Sequence, residues 1–172
     1  MARLNVPEGD GHEIERVWQL NPKLGQAVLG LRYSVYHDSV LPLRIREGLR
    51  YIVADCNQCP ICLAARDVDG SGAGLGMDFY RLVLEDRGNA AFDERERLAF
   101  EYTHRFCHDH FSIDDELMAR MRAVFSDTEM FDLCVLAARH LGFGRLTQVL
   151  QLDFACAVHV SPSSLAGPAR DP

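Results

Sequence analysis

Asp55-Cys56-Asn57-Gln58-Cys59-Pro60-Ile61-Cys62-Leu63-Ala64-Ala65-Arg66 holds three of the six cysteines in this 172-residue chain. Cys59 and Cys62 form a C-x-x-C pair with a proline directly after the first cysteine. A proline suits the first position of a helix, which makes Cys59 the N-cap and Cys62 the third helical residue. Orphan backbone N–H groups and the positive helix end favour a thiolate there. Such a setting lowers a thiol pKa from about 8.5 to roughly 3.5–7.5. The spacing also suits the short disulfide of dithiol oxidoreductases. Zinc sites use the same spacing, and Cys56 extends the run to C-x2-C-x2-C, an outline of an iron–sulfur set. A bacterial ferredoxin run needs a cysteine where Arg66 stands. The redox reading is therefore taken, with no bound metal and no cofactor expected.

Two charged residues frame the pair. Glu47 lies twelve residues before Cys59, on the helix that leads into the motif. Arg66 lies four residues after Cys62, so the two share one helical face. The result is an ordered array of carboxylate, dithiol and cation. Glu47 and Arg66 could equally form a structural ion pair holding two helices in register. His104 and His108 are four apart on one face, but no Glu completes an H-E-x-x-H arrangement. They and His110 are read as structural, and His140 and His159 as isolated. Cys56, Cys107, Cys134 and Cys156 are read as ordinary packed cysteines.

The elements that must position these groups are helical throughout. Ile14, Val17 and Leu20 mark a first helix over about residues 13–20. Asn21-Pro22 supplies an N-cap and an N1 proline for a second, with Leu24, Val28, Leu31 and Val35 on one face. Pro42 opens a third carrying Ile45, Leu49, Ile52 and Val53, and Pro60 opens a short fourth. Gly70-Ser-Gly-Ala-Gly-Leu-Gly76 is a linker without phosphate-loop character. Asp93-x-x-Glu96, Ser112-x-x-Asp115 and Ser126-x-x-Glu129 each resemble a capping box. The helices they begin carry Leu98, Tyr102 and Phe106; Leu117, Met121 and Val124; and Phe131, Val135 and Leu136. The last runs past Gly142 and Gly144 toward Leu152, with room for a kink. No alternating strand pattern occurs. The fold class is all-α: one domain over residues 1–160 and a flexible tail over 161–172, where Pro, Ser, Gly and Ala dominate.

Composition narrows the partners. Hydrophobic residues make up 48% of the chain, enough for a core, and the net charge is −7. Nucleic acid is excluded as a partner, because phosphate binding needs clustered cations. No apolar stretch approaches the roughly 18 residues of a membrane span. The N-terminal residues contain no apolar signal region, so a cytoplasmic location is expected, where close cysteines are more often catalytic than structural.

Asn57 through Arg66 resembles the N-G-C-x-Y-C-x-x-x-H turn of the AhpD-like (alkylhydroperoxidase-like) and carboxymuconolactone decarboxylase-like family, whose fuller pattern is E-x11-C-x2-C-x3-H. The resemblance extends to Glu94–Ala99 and to Asp114–Leu146, and covers about residues 40–150. It implies an AhpD-like helical bundle of about six to eight helices, assembled as a homo-oligomer (dimer, trimer or hexamer). It also implies a cofactor-independent peroxidase or thiol-disulfide oxidoreductase. Cys59 and Cys62 would be the redox pair and Glu47 the relay carboxylate. The substrate would be a peroxide or small disulfide, with a protein or small-molecule thiol as reductant. Arg66 stands where the family has its relay histidine. Arginine stays protonated and cannot shuttle a proton at neutral pH, but it can stabilise a thiolate or hold an anion. Helix capping favours Cys59 as the attacking thiol, and contact with Arg66 favours Cys62. Two other classes remain: an oligomeric family member with a binding or scaffold role and no turnover, and a lactone decarboxylase, whose chemistry does not depend on a C-x-x-C.

Overall fold

The computed structural model describes residues 2–65 and 75–153. Among them are eight α-helices and no strand: α1 (Glu13–Val17), α2 (Pro22–His37), α3 (Leu43–Cys56), α4 (Pro60–Ala64), α5 (Met77–Glu85), α6 (Glu94–His108), α7 (Asp115–Val124) and α8 (Asp127–Val149). None of the helices is long and apolar enough to cross a membrane. The tail over 161–172 and residues 70–74 of the glycine-rich linker lie outside the described residues.

The capping signals act largely as the sequence implies. Asn21 caps α2 by accepting from Leu24 N–H at 3.3 Å. Asp93 with Glu96, and Ser126 with Glu129, form reciprocal capping boxes. Each such cap contributes roughly 1 kcal/mol by satisfying N–H groups that the helix leaves open. Glu96 is also held by Arg44 at 2.5 Å, which ties the start of α6 to α3. The Ser112 box does not form. Ser112 ends a single 3-10 turn, and Asp114 caps α7 instead, accepting from Leu117 N–H at 2.8 Å. The first helix is shorter than expected, passing into a 3-10 turn at Trp18–Leu20. The last is continuous through Gly142 and Gly144 to Val149.

The core gathers around α3, which is buried on nearly every side. Ile45, Leu49, Ile52 and Val53 are its apolar contribution, as the periodicity predicts. Gly48 lets α6 come close: a Cβ there would stand 2.2 Å from a Phe100 ring carbon. Phe79, Phe92 and Phe100 then meet edge to face at 5.1–6.3 Å, the geometry that ring quadrupoles prefer. Two predicted faces are rotated. Leu24 is 59% exposed, because the start of α2 packs through Gly25 against Trp18. Phe131 is 68% exposed, because α8 turns Leu133, Leu136 and Ala137 inward and residue 131 falls on the opposite side.

The helix over Met77–Glu85 was absent from the sequence expectations, which passed from the linker to Asp93. It is the only element that brings Tyr80 into the core beneath the cysteine motif.

Candidate functional site

The end of α3 and the start of α4 are one structural device. Cys59 N–H bonds to Ala54 C=O at 3.0 Å, and Gln58 N–H bonds to Asp55 C=O at 2.8 Å. This is the paired closure of a Schellman motif, with Gln58 in the left-handed conformation at φ 49°. Glycine adopts that conformation without steric cost, and the family pattern that this segment resembles has glycine there. Cys59 is thus the last residue of one cap and the first of the next. Its sulfur caps α4 by accepting from Cys62 N–H at 3.3 Å. The predicted N-cap, N1 proline and N3 cysteine are all in place.

The two sulfurs lie 2.7 Å apart as free thiols. Cys59 is buried, at 2% exposure, whereas Cys62 is half-buried. Cys62 is therefore the more accessible of the pair.

Glu47 lies below them, and its carboxylate is taken up by a residue the sequence reading passed over. Arg50 Nε donates to Glu47 Oε2 at 2.7 Å and Nη2 to Oε1 at 2.6 Å, with both side chains only 5% exposed. Tyr80 Oη donates to the same Oε1 at 2.9 Å. Arg50 also donates from Nη1 to Cys62 C=O at 2.7 Å and from Nη2 to Ala65 C=O at 3.2 Å. It therefore bridges the buried carboxylate to the Cys62 and Ala65 carbonyls at the end of α4, where cations are favoured. Among the described residues, Arg50 is the cation that binds the backbone of the dithiol turn. Arg66, on which the sequence-level array rested, lies outside the described residues.

Asn57 fixes the motif to α8. Its Nδ2 donates to His140 and Leu141 carbonyls at 3.4 and 3.3 Å, and its Oδ1 accepts from Arg145 Nε at 3.1 Å. Gly144 makes room for it, since a Cβ there would sit 2.4 Å from Asn57 Nδ2. This junction carries His140 to the dithiol's side of the molecule, so the reading of His140 as isolated is corrected. A cavity of about 130 Å³ opens between α2, α3, α4 and α8, lined by Cys59, Cys62, Arg50, Asn57, Arg139 and His140 together with an apolar wall. Burial, reinforced by the nearby charges of Arg139 and Arg50, holds the His140 imidazole well below its usual pKa. Arg139 Nη1 lies 3.1 Å from His140 Nδ1. A guanidinium can only donate, so the ring is neutral with its proton on Nε2.

The other cysteines and histidines lie elsewhere. Cys56 approaches Cys107 C=O at 3.6 Å, and burial with the neighbouring Cys56 pushes the Cys107 thiol up to about 12. Cys134 contacts Tyr102 Oη at 3.1 Å. His104 and His108 lie with ring centroids 4.5 Å apart on α6, their planes tilted by 57°, and His110 rests on Phe111. No group of three or more His, Cys, Asp or Glu side chains that could hold a metal occurs among the described residues. Cys156 and His159 lie outside them.

Three residues of the site escaped the sequence reading. Arg50 had a signal, a glutamate three residues earlier on one helix. His140 had a weaker one, its helical register with Leu133, Leu136 and Ala137. Tyr80 had none without α5.

Neither a family model nor a curated protein matches the sequence. The structure does have counterparts. It is similar to a peroxidase-related protein from Silicibacter sp. at a TM-score of 0.73 and 14% identity, covering 92% of this chain and 94% of the other. It is similar to the alkylhydroperoxidase AhpD core of a peroxidase-related protein from Ralstonia eutropha, at a TM-score of 0.69 and 15% identity over 91% and 94% of the two chains. The debrominase Bmp8 is a third, at a TM-score of 0.69 and 14% identity over 90% and 81%. At these identities the likeness is one of fold: the chain has the all-helical AhpD-like fold.

Proposed function

We propose that this chain, with its AhpD-like fold, is a cofactor-independent dithiol peroxidase or disulfide oxidoreductase acting through Cys59 and Cys62. The observation that carries this reading is the pair of free sulfurs 2.7 Å apart at a helix N-terminus, one buried and one open toward a cavity. Cys62 is the attacking thiol. As thiolate it takes the distal oxygen of a hydroperoxide, the O–O bond breaks, and the alkoxide leaves as an alcohol after gaining a proton. Cys59 then attacks the sulfenic sulfur, expelling water and closing the disulfide. One hydroperoxide and two thiols thus give one alcohol, one water and one disulfide. A dithiol reductant restores both thiols by exchange.

Each neighbour has a role in this scheme. Arg50 anchors α4 through the Cys62 and Ala65 carbonyls, and Glu47 with Tyr80 fixes Arg50. These are positioning residues. His140 faces the same cavity with a neutral ring whose Nε2–H can hydrogen-bond the peroxide oxygen. In that respect it offers what the histidine of the resembled motif offers, from a different helix.

The test is consumption of an organic hydroperoxide with a dithiol reductant. Cys59→Ser and Cys62→Ser should each abolish turnover, and Cys56→Ser should retain it. Turnover by Cys62→Ser at the wild-type rate would exclude this chemistry.

A further inference from the structure

The cavity beside the dithiol has a charge pattern that peroxide reduction alone does not require. Arg32 on α2 and Arg139 on α8 both line it, and both are half-buried. Neither meets a carboxylate among the described residues. Arg32 makes no hydrogen bond or ion pair there. Arg139 touches the His140 ring nitrogen at 3.1 Å and lies over the Tyr36 and Phe143 rings at 5.7 and 5.9 Å. Arg50, the third guanidinium, is already neutralised by Glu47. In a chain of net charge −7, no Asp or Glu lines this cavity among the described residues. Removing guanidinium charge from water without a counter-ion is unfavourable, so two such groups on one cavity make a place for an anion.

The remaining wall is apolar, formed by Ile14, Trp18, Val28, Leu29 and Phe143. Trp18 and Phe143 meet edge to face at 6.0 Å. The cavity measures about 130 Å³. An apolar cavity of about 150 Å³ holds benzene, so the body of the ligand is one ring or its aliphatic equivalent.

We propose that this cavity binds a small organic carboxylate, its charge read by Arg32 and Arg139 and its apolar body laid against Trp18 and Phe143. The reacting partner of Cys62 is then the hydroperoxide of such an acid, reduced to the hydroxy acid with the electron balance given above. This assignment of substrate rests on the dithiol reading; the binding site itself does not.

Trp18 is the one tryptophan of the chain, so its fluorescence reports the cavity directly. Benzoate should quench it saturably. Benzamide, which keeps the ring and loses the charge, and acetate, which keeps the charge and loses the ring, should each bind about tenfold more weakly or worse. Arg32→Gln removes no hydrogen bond or ion pair of the described structure, so it should fold normally. It should weaken benzoate about tenfold while leaving benzamide unchanged. Arg139→Gln should act in the same direction, and equilibrium dialysis of labelled benzoate checks both variants without relying on fluorescence. Benzoate binding is measured with neither peroxide nor reductant present, so it tests the site apart from the dithiol chemistry and separates the two readings. Equal binding of benzoate and benzamide, no effect of Arg32→Gln, or no saturable benzoate binding by either method would overturn the proposal, even in a protein that reduces peroxides.

Discussion

Replacing Arg50 by Met removes the cation from a carboxylate that is itself 5% exposed, and so exposes the energetics of the whole site. Wild-type Glu47 receives two hydrogen bonds from Arg50, at 2.7 and 2.6 Å, and one from Tyr80 at 2.9 Å. In Arg50→Met only the last of these remains. Breaking a buried ion pair by removing one partner costs about 3–5 kcal/mol, because the other charge stays buried and uncompensated. The hydrogen bonds from Arg50 to the Cys62 and Ala65 carbonyls are lost as well. With a urea m value of about 2 kcal/mol/M, a loss of about 4 kcal/mol moves the unfolding midpoint down by about 2 M. Removing the stranded charge should recover part of this loss. Glu47→Gln/Arg50→Met should therefore be more stable than Arg50→Met alone, a coupling that a double-mutant cycle measures directly. Arg50→Lys keeps the charge but not the two-pronged geometry, and should fall between. If Arg50→Met unfolds within about 1 kcal/mol of wild type, or if the cycle shows no coupling, the reasoning about this pair is refuted.

Three further outcomes are expected. Gln58→Gly should stabilise the protein by about 0.5–1 kcal/mol in urea unfolding, because residue 58 sits at φ 49° where only glycine escapes a Cβ penalty; a loss of stability would contradict the cap geometry. Tyr80→Phe should cost about 1.5–3 kcal/mol, the range for a hydrogen bond to a charged group, and an unchanged midpoint would show that its hydroxyl does not support Glu47. Because burial holds the His140 pKa well below its usual value, the unfolded chain, with a histidine pKa of about 6.5, takes up the proton first as the pH falls. Stability is then lost over a range that opens as the pH falls toward about 6.5 and extends down to the depressed folded-state value. His140→Asn should make that decline shallower in urea midpoints at the two ends of the range, and an identical slope would place His140 in solvent.

Much of this arrangement follows from local chemistry and is legible in the chain. Asn21-Pro22, Cys59-Pro60, Asp93-x-x-Glu96 and Ser126-x-x-Glu129 act within one helical turn, so their types and spacing suffice to place four helix starts. The dithiol at the head of α4 comes from the same kind of signal. What the sequence hides is the pairing of groups on different elements. Glu47 is held by Arg50 three residues on along its own helix, and by Tyr80 from α5, while Arg66 lies outside the described residues. Tyr80 was invisible because Met77–Glu85 follows a glycine-rich stretch and begins on Gly76, which supplies no side-chain cap. His140 lies eighty-one residues after Cys59, and only the Asn57–Gly144 contact reveals that the two share a cavity. Ser112 shows the opposite error: a side chain of suitable type two residues too early, with Asp114 better placed to cap α7.

The most direct test is a disulfide map. Fully reduced protein is given one equivalent of an organic hydroperoxide, the remaining thiols are alkylated, and the peptides are separated. The expected product has Cys59 joined to Cys62, with Cys56, Cys107 and Cys134 recovered alkylated. The high thiol pKa of Cys107 helps to keep it out of the reaction. Recovery of Cys59 and Cys62 as free thiols with the peroxide unconsumed, or a first disulfide formed by any other pair, would contradict the assignment of this dithiol as the reacting group.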